Sequence, residues 1–289
     1  MIAGPRTEVI VEEHRTWGFT AASAVSARTV SDVQALFARF QKHTPRCAAI
    51  ELVTAPESHL GLGSKTSLLL SIAYGINKAL DLGLSKRQLQ AISGRGGTSG
   101  IGVNGFFLGG FLIDAGHPMA EVGTFAPSSS RQPASIPPVM VKLRIPAGWK
   151  FLLLAVSGVK RIGGADEMRF FATNTPTPAS EVFESIGIVY HDLATSVREA
   201  RLDGVRRSLT ALHQRGFKRR ELHGQSGATK ALFETCQRTG LAAGLSSLGP
   251  VVYVIDDDEA SLRTFANSTH TGAQSLGIYS GMLPRRSDS

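Results

Sequence analysis

An α+β fold in two parts is the class this sequence predicts, and three observations carry that expectation. The first half places a glycine-rich loop, His59-Leu60-Gly61-Leu62-Gly63-Ser64-Lys65-Thr66, between a strand-like apolar run and a long helix-like one. The second half reads strand, three helices, strand, helix, strand, which lays helices on a sheet. With 289 residues, 42% hydrophobic and 19% charged, the chain can bury one large core or two ordinary ones. A sheet-and-helix domain over 1–146 and an α+β domain over 147–289 are expected.

Residues 8–13 read as a short strand through Val9, Ile10 and Val11. Ser31 is the expected N-cap of a helix that lines up Val33, Leu36, Phe37 and Phe40. Pro45 closes that region, and 48–53 form a strand. A helix over 64–82 is stopped by Gly83. Ser85 caps a shorter helix bearing Leu89 and Ile92. A second glycine loop, Gly94-Arg95-Gly96-Gly97-Thr98-Ser99-Gly100, comes next. A short helix over 101–108 and a strand over 109–115 complete this region.

Residues 117–138, rich in Pro, Ser and Ala, read as a long irregular segment, a kind that often carries function. Strands over 139–145 and 150–157 are joined by Pro146-Ala147-Gly148-Trp149, as a hairpin or a domain crossing. A charged loop, 158–166, precedes helices over 179–198, 202–215 and 227–239. A loop over 244–250, a strand over 251–255, a helix over 257–268 and a strand over 276–279 follow. The tail, 285–289, is expected to be disordered. There is no internal repeat.

Composition narrows the function classes. No apolar run is long enough to span a bilayer, and the N-terminus lacks the pattern of a secretion signal. Cys47 and Cys236 make no disulfide framework. They read as buried free thiols, which suits a reducing cytoplasm. The net charge of +8 points either to nucleic acid or to an anionic small molecule. The basic clusters Arg206-Arg207, Lys218-Arg219-Arg220 and Arg285-Arg286 have no interleaved aromatics, which favours the small molecule.

The two glycine loops are where such an anion would bind. A helix start leaves backbone N–H groups unpaired and carries positive dipole character, so it receives phosphate. His59, Gly61, Gly63, Ser64 and Thr66 frame the first loop, and Lys65 adds a flexible cation. The spacing is neither a Walker loop nor a dinucleotide fingerprint, and an ordinary strand-to-helix turn is the alternative. In the second loop, Gly96 and Gly97 let backbone approach an anion, beside Thr98 and Ser99. Arg95 can clamp a carboxylate or phosphate; a flexible turn is the alternative. Two such loops suit a ligand with more than one phosphate. Lys160 and Arg161, with Asp166 and Glu167, can serve phosphate and magnesium, or form a solvated loop. His59 and His117 adjoin the loops without a partner at zinc spacing. His191, His213 and His223 read as surface residues.

Together these segments resemble the β-ribofuranosylaminobenzene 5′-phosphate synthase family of the GHMP kinase superfamily. The first loop resembles the superfamily phosphate loop. The block 94–102, with Gly109-Gly110-Phe111-Leu112-Ile113-Asp114-Ala115-Gly116-His117, resembles the family signature. Ser246-Ser247-Leu248-Gly249-Pro250-Val251-Val252-Tyr253 resembles the C-terminal motif. The resemblance covers about residues 50–256. It implies a GHMP-kinase-like two-lobed fold with a ferredoxin-like C-terminal domain.

The resemblance also implies ribosyl transfer rather than phosphorylation. Phosphoribosyl pyrophosphate would be joined to an aromatic acid, 4-aminobenzoate or a pyrazole dicarboxylate, with loss of pyrophosphate and CO2. Members serve methanopterin and C-nucleoside biosynthesis. Lys65, Arg95 and His117 are the catalytic candidates, and Mg²⁺ the expected cofactor. His59, Gly61, Gly63, Ser64, Thr66, Gly96, Gly97, Thr98, Ser99, Lys160, Arg161, Ser246 and Ser247 are the expected substrate-binding set. An ATP-dependent small-molecule kinase of the same superfamily is the alternative. No nucleic-acid or membrane partner is expected, and a homodimer is common in the superfamily. Ile2-Ala3-Gly4-Pro5 resembles the tail of the superfamily's opening strand pair, whose first strands are therefore expected to be missing.

Overall fold

The computed structural model describes residues 1–118, 135–268 and 272–283. Its first lobe contains β1 (Glu8–His14), β2 (Gly18–Ala21), α1 (Ala27–Phe40), β3 (Cys47–Thr54), α2 (Ser64–Ala79), α3 (Lys86–Ser93) and α4 (Ile101–Leu108). The strands form a sheet in the order β1-β3-β2, with β1 antiparallel and β2 parallel to β3. All three of these strands precede the first glycine loop. Ile50 and Leu52 of β3 meet Val33, Leu36 and Phe40 of α1 and Leu69, Leu70 and Ile76 of α2 in one buried cluster.

β4 (Phe111–Asp114) pairs with β5 (Val139–Leu143) as a separate two-stranded ribbon. β6 (Lys150–Val156) instead pairs with β8 (Val252–Asp256) and β9 (Ala273–Ser280), so residues 146–149 are a crossing and not a hairpin. β7 (Ala242–Leu245) completes a second sheet, all antiparallel, ordered β7-β8-β6-β9. Between β6 and β7 run α5 (Ala165–Asn174), α6 (Ala179–Gly187), a π-helical turn (Ile188–Leu193), α7 (Ala194–Arg198), α8 (Leu202–His213), α9 (Gly216–His223) and α10 (Gly227–Arg238). α11 (Glu259–Ser268) joins β8 to β9. This is the βαββαβ order of the ferredoxin-like fold. Alternate residues of β6 face opposite cores: Leu152 and Leu154 meet α10 and α11, while Phe151 packs with Val205 and Leu209 of α8. Two covered faces explain the unbroken apolar run from Phe151 to Ala155.

Several expectations are corrected. α1 starts at Ala27, because Ser26 accepts from the Thr29 N–H; Ser31 is inside the helix. α2 ends at Ala79, three residues before the expected stop, where the Asn77 side chain binds both the N–H and the C=O of Leu84 and folds the chain back. Ser85 does cap α3, in a reciprocal box with Gln88. β2, β7, α5 and α9 were not expected. Cys236 is buried, but Cys47 is only half-buried. His213 is 4% exposed and belongs to the second lobe's interior. Most of the irregular segment, 119–134, and the tail, 285–289, lie outside the described residues.

Candidate functional site

β3 delivers the chain to residues 55–63, and α2 leaves at Ser64. Gly63 adopts the left-handed conformation at the N-cap and supplies no side-chain cap, so the start of this 16-residue helix is left for an outside acceptor. Leu60 and Leu62 anchor the loop in the other lobe, against Leu153, Ala155 and Val251. The Ser246 hydroxyl donates to Gly61 O at 3.0 Å. Gly61 has φ +81°, and a Cβ there would overlap Ser246 O. The loop is thus fixed from both sides before any ligand arrives.

Around the helix start stand charged groups from four segments. Lys65 Nζ is 2.6 Å from Asp32 Oδ2 of α1. Arg95, 9% exposed, donates through Nε to Thr66 Oγ1 at 3.2 Å. Burial lowers the proton affinity of Lys65, partly offset by Asp32, and burial likewise lowers that of Arg95. Glu167, on the first turn of α5, faces this group from the second lobe and senses His59, Arg95, Arg28 and Lys65. Its burial nevertheless raises its pKa above the ordinary carboxylate value. His59 is held against Gly163, whose missing side chain leaves room for the imidazole.

The second glycine loop is built differently from the first. The Gly100 N–H donates to Asp114 Oδ2 at 2.7 Å, and the Ser99 hydroxyl reaches the same oxygen at 3.2 Å. A side chain of the protein therefore already sits on the start of α4. Gly96 and Gly97 are buried, Gly96 beside Val103 and Ile136. His117 donates through Nε2 to Gly96 O at 2.8 Å, tying β4's exit to this loop. Asp114 thus pins the loop that presents Arg95, a role the sequence did not disclose.

The remaining predicted groups are at the rim. Arg161 donates to Ser58 O at 3.2 Å and pairs with Glu57, joining the two lobes above the first loop. Lys160 is 80% exposed and pairs with Asp166 at 2.5 Å. Ser247 is exposed, at φ +52° in the turn after β7. So Lys65, Thr66, Arg95 and His59 cluster about the start of α2, where the two lobes face each other, while Lys160 and Ser247 are exposed. Arg28, Asp32 and Glu167 join the cleft. Only packing brings Arg28 and Asp32 there, since no motif contains them.

The start of α2 is thus surrounded by Lys65, Arg95 and Arg28, with the carboxylates of Asp32 and Glu167 beside them. No protein-family model matches the chain. A β-ribofuranosylphenol 5′-phosphate synthase of Archaeoglobus fulgidus is 34% identical over 223 residues, 77% of this chain and 69% of that protein. Proteins of the same name from Methanothermobacter thermautotrophicus and Methanocaldococcus jannaschii are 33% identical over 203 and 211 residues. These matches take in 70% and 72% of this chain but 61% and 63% of those proteins, so the chain spans under two thirds of either.

Among solved structures, homoserine kinase from Cytophaga hutchinsonii superposes with a TM-score of 0.69 at 14% identity, over 99% of this chain and 88% of that one. Phosphomevalonate kinase from Streptococcus pneumoniae gives 0.67 at 12%, over 95% and 88%. Mevalonate kinase from L. major gives 0.63 at 11%, over 96% and 86%. At such identities the likeness carries the fold alone, that of the GHMP kinases.

Proposed function

Since this chain belongs to the β-ribofuranosylphenol 5′-phosphate synthase family, we propose that it is a decarboxylating C-ribosyl transferase. Its donor would be phosphoribosyl pyrophosphate and its acceptor an aromatic carboxylic acid. The relatives' name specifies a ribofuranosylphenol product, which favours 4-hydroxybenzoate over 4-aminobenzoate as the acceptor. A pyrazole dicarboxylate stays in the panel of acceptors. The products would be a C-riboside 5′-phosphate, pyrophosphate and CO2.

One observation carries this proposal: Arg95 reaches Thr66, and Lys65, paired with Asp32, stands beside it at an uncapped helix start. That arrangement suits a departing pyrophosphate. As it leaves, positive charge builds at the ribose carbon and negative charge on the leaving group, and fixed cations stabilise the latter. The acceptor's carboxylate-bearing ring carbon attacks C1′. Loss of CO2 then restores aromaticity, so no strong base is needed, in keeping with a cleft that holds no nucleophilic triad among the described residues.

Mg²⁺ would accompany the donor. Among the described residues no three His, Cys, Asp or Glu side chains form a metal cage. An ion that keeps phosphate and water ligands needs only one or two carboxylates, and Asp32, beside Lys65, would be the residue to hold it. When bound, it would neutralise charge on the pyrophosphate. A cytoplasmic location and small-molecule substrates as the chief partners follow from the same proposal; no described helix is long and apolar enough to cross a membrane.

The test is incubation with phosphoribosyl pyrophosphate, Mg²⁺ and each aromatic acid. Release of pyrophosphate and CO2 in equal amounts, dependent on the acid, is expected. Consumption of ATP with an alcohol substrate, and no acid-dependent release, would instead favour the kinase alternative.

A further inference from the structure

Among the described residues, Lys65, Arg95, Arg28 and His59 gather about the start of α2 with two carboxylates, and the carboxylates differ. Asp32 is already engaged with Lys65 at 2.6 Å. Glu167 makes no hydrogen bond or ion pair with any described residue, although its neighbours Asp166 and Lys160 pair with each other. It projects from α5, in the lobe opposite the glycine loops, next to the segment where Gly163 seats His59. A carboxylate amid His59, Arg95, Arg28 and Lys65 repels a phosphate and suits an O–H or N–H donor. The donor's phosphates are drawn to the first lobe. The partner left for Glu167 is the acceptor's ring substituent, reaching across from the other side.

Building on the transferase proposal, we infer that Glu167 is a catalytic residue that accepts the proton of the acceptor's hydroxyl (or hydrogen-bonds its amino group) while the ring attacks. The bookkeeping closes without a further reactant. The ring carbon bearing the carboxylate forms a bond to C1′, and the C1′–O bond breaks with its electron pair going to pyrophosphate. The phenolic proton moves to Glu167, and the ring becomes a cyclohexadienone. The C–CO2 bond then breaks, its electron pair returns to the ring, and the resulting phenolate takes the proton back from Glu167. Burial makes that carboxylate more basic than one in water, in the direction this transfer needs.

The test compares wild type with Glu167→Gln on two acceptors, 4-hydroxybenzoate and 3,5-difluoro-4-hydroxybenzoate, whose phenol is already ionised near neutral pH. On 4-hydroxybenzoate kcat should fall about 100-fold or more, the scale of a lost general base. On the difluoro acceptor the loss should shrink to about tenfold or less, with the donor KM changed by no more than about twofold. An equal loss on both acceptors, no loss, or a loss confined to the donor KM or the Mg²⁺ requirement would overturn the assignment. The last two patterns would place Glu167 on the ribose hydroxyls or on the ion. Should Glu167→Gln fail to match the wild-type melting curve, the solvent isotope effect of wild type decides. A normal effect on 4-hydroxybenzoate that vanishes on the difluoro acceptor supports the inference; equal effects sink it. If wild type makes no C-riboside from any acceptor, the transferase proposal itself fails. If wild type turns over and the variant equals it, only the role of Glu167 fails.

Discussion

Lys65 shows how little of a residue's surroundings the sequence discloses. Its place at a glycine-rich helix start marks it as a phosphate-facing cation. That it is steadied by Asp32, thirty-three positions earlier on α1, could come only from packing. Replacing it by Met should lower kcat/KM for the donor about 100-fold to 1,000-fold, the usual effect of removing one charge-stabilising group. The pair with Asp32, each side chain 28% exposed, is a single partly buried ion pair, so the stability lost should be about 1 kcal/mol. Steady-state kinetics with varied donor, beside a circular-dichroism melt, measure both. Unchanged kinetics would remove Lys65 from the site.

His213 misled in the opposite sense. In sequence it is one polar residue at the end of an amphipathic helix, which reads as surface. In the structure both ring nitrogens are used: Nδ1 donates to Leu209 O at 2.8 Å, and Nε2 accepts from the Leu245 N–H at 3.0 Å. Nothing in the residue order announces that pairing. Burial drops its pKa from 6.5 to about 4. Between those values the unfolded chain holds a proton that the folded chain does not. Stability therefore rises with pH across that window, is complete above it, and is lost as pH falls toward 4. Integrated, the effect is about 3 kcal/mol at most. Urea unfolding of wild type and His213→Gln at pH 7 and pH 4.5 should show a steeper loss in wild type. Equal losses would contradict the buried neutral imidazole.

At the scale of elements, what was legible is what local chemistry specifies. The Ser85–Gln88 box, the apolar face of α1 and the strand β3 were plain in the order of residues. β2 was not, because it is four residues long and takes its order from pairing with β3. β7, Ala242-Ala243-Gly244-Leu245, lacks the branched residues that signal a strand, and its small side chains fit a sheet covered on both faces. α5 escaped notice because it buries none of its residues and so shows no apolar period. Without such a period, Glu167 reads in sequence as part of a charged loop. The site was therefore half visible: the glycine loops and their cations could be read, whereas Arg28, Asp32 and Glu167 are gathered by tertiary structure.

At the scale of the molecule, the two lobes meet at the first glycine loop. Leu60 and Leu62 lie in the second lobe's apolar cluster, Ser246 holds Gly61, and Arg161 pairs with Glu57. That loop is set between a cation cluster on one lobe and Glu167 on the other. Under the transferase proposal, a donor bound on one side and a ring presented from the other would bring the two reacting carbons together. The fold admits a kinase as readily as a transferase, so the bond made is what decides. The direct measurement is the product formed from phosphoribosyl pyrophosphate labelled with ¹³C at C1′ and carboxyl-labelled 4-hydroxybenzoate. The transferase account predicts labelled CO2 in step with pyrophosphate, and a ribose C1′ joined to a ring carbon by NMR. Retention of the carboxyl label, or a C1′ joined to oxygen, would contradict it.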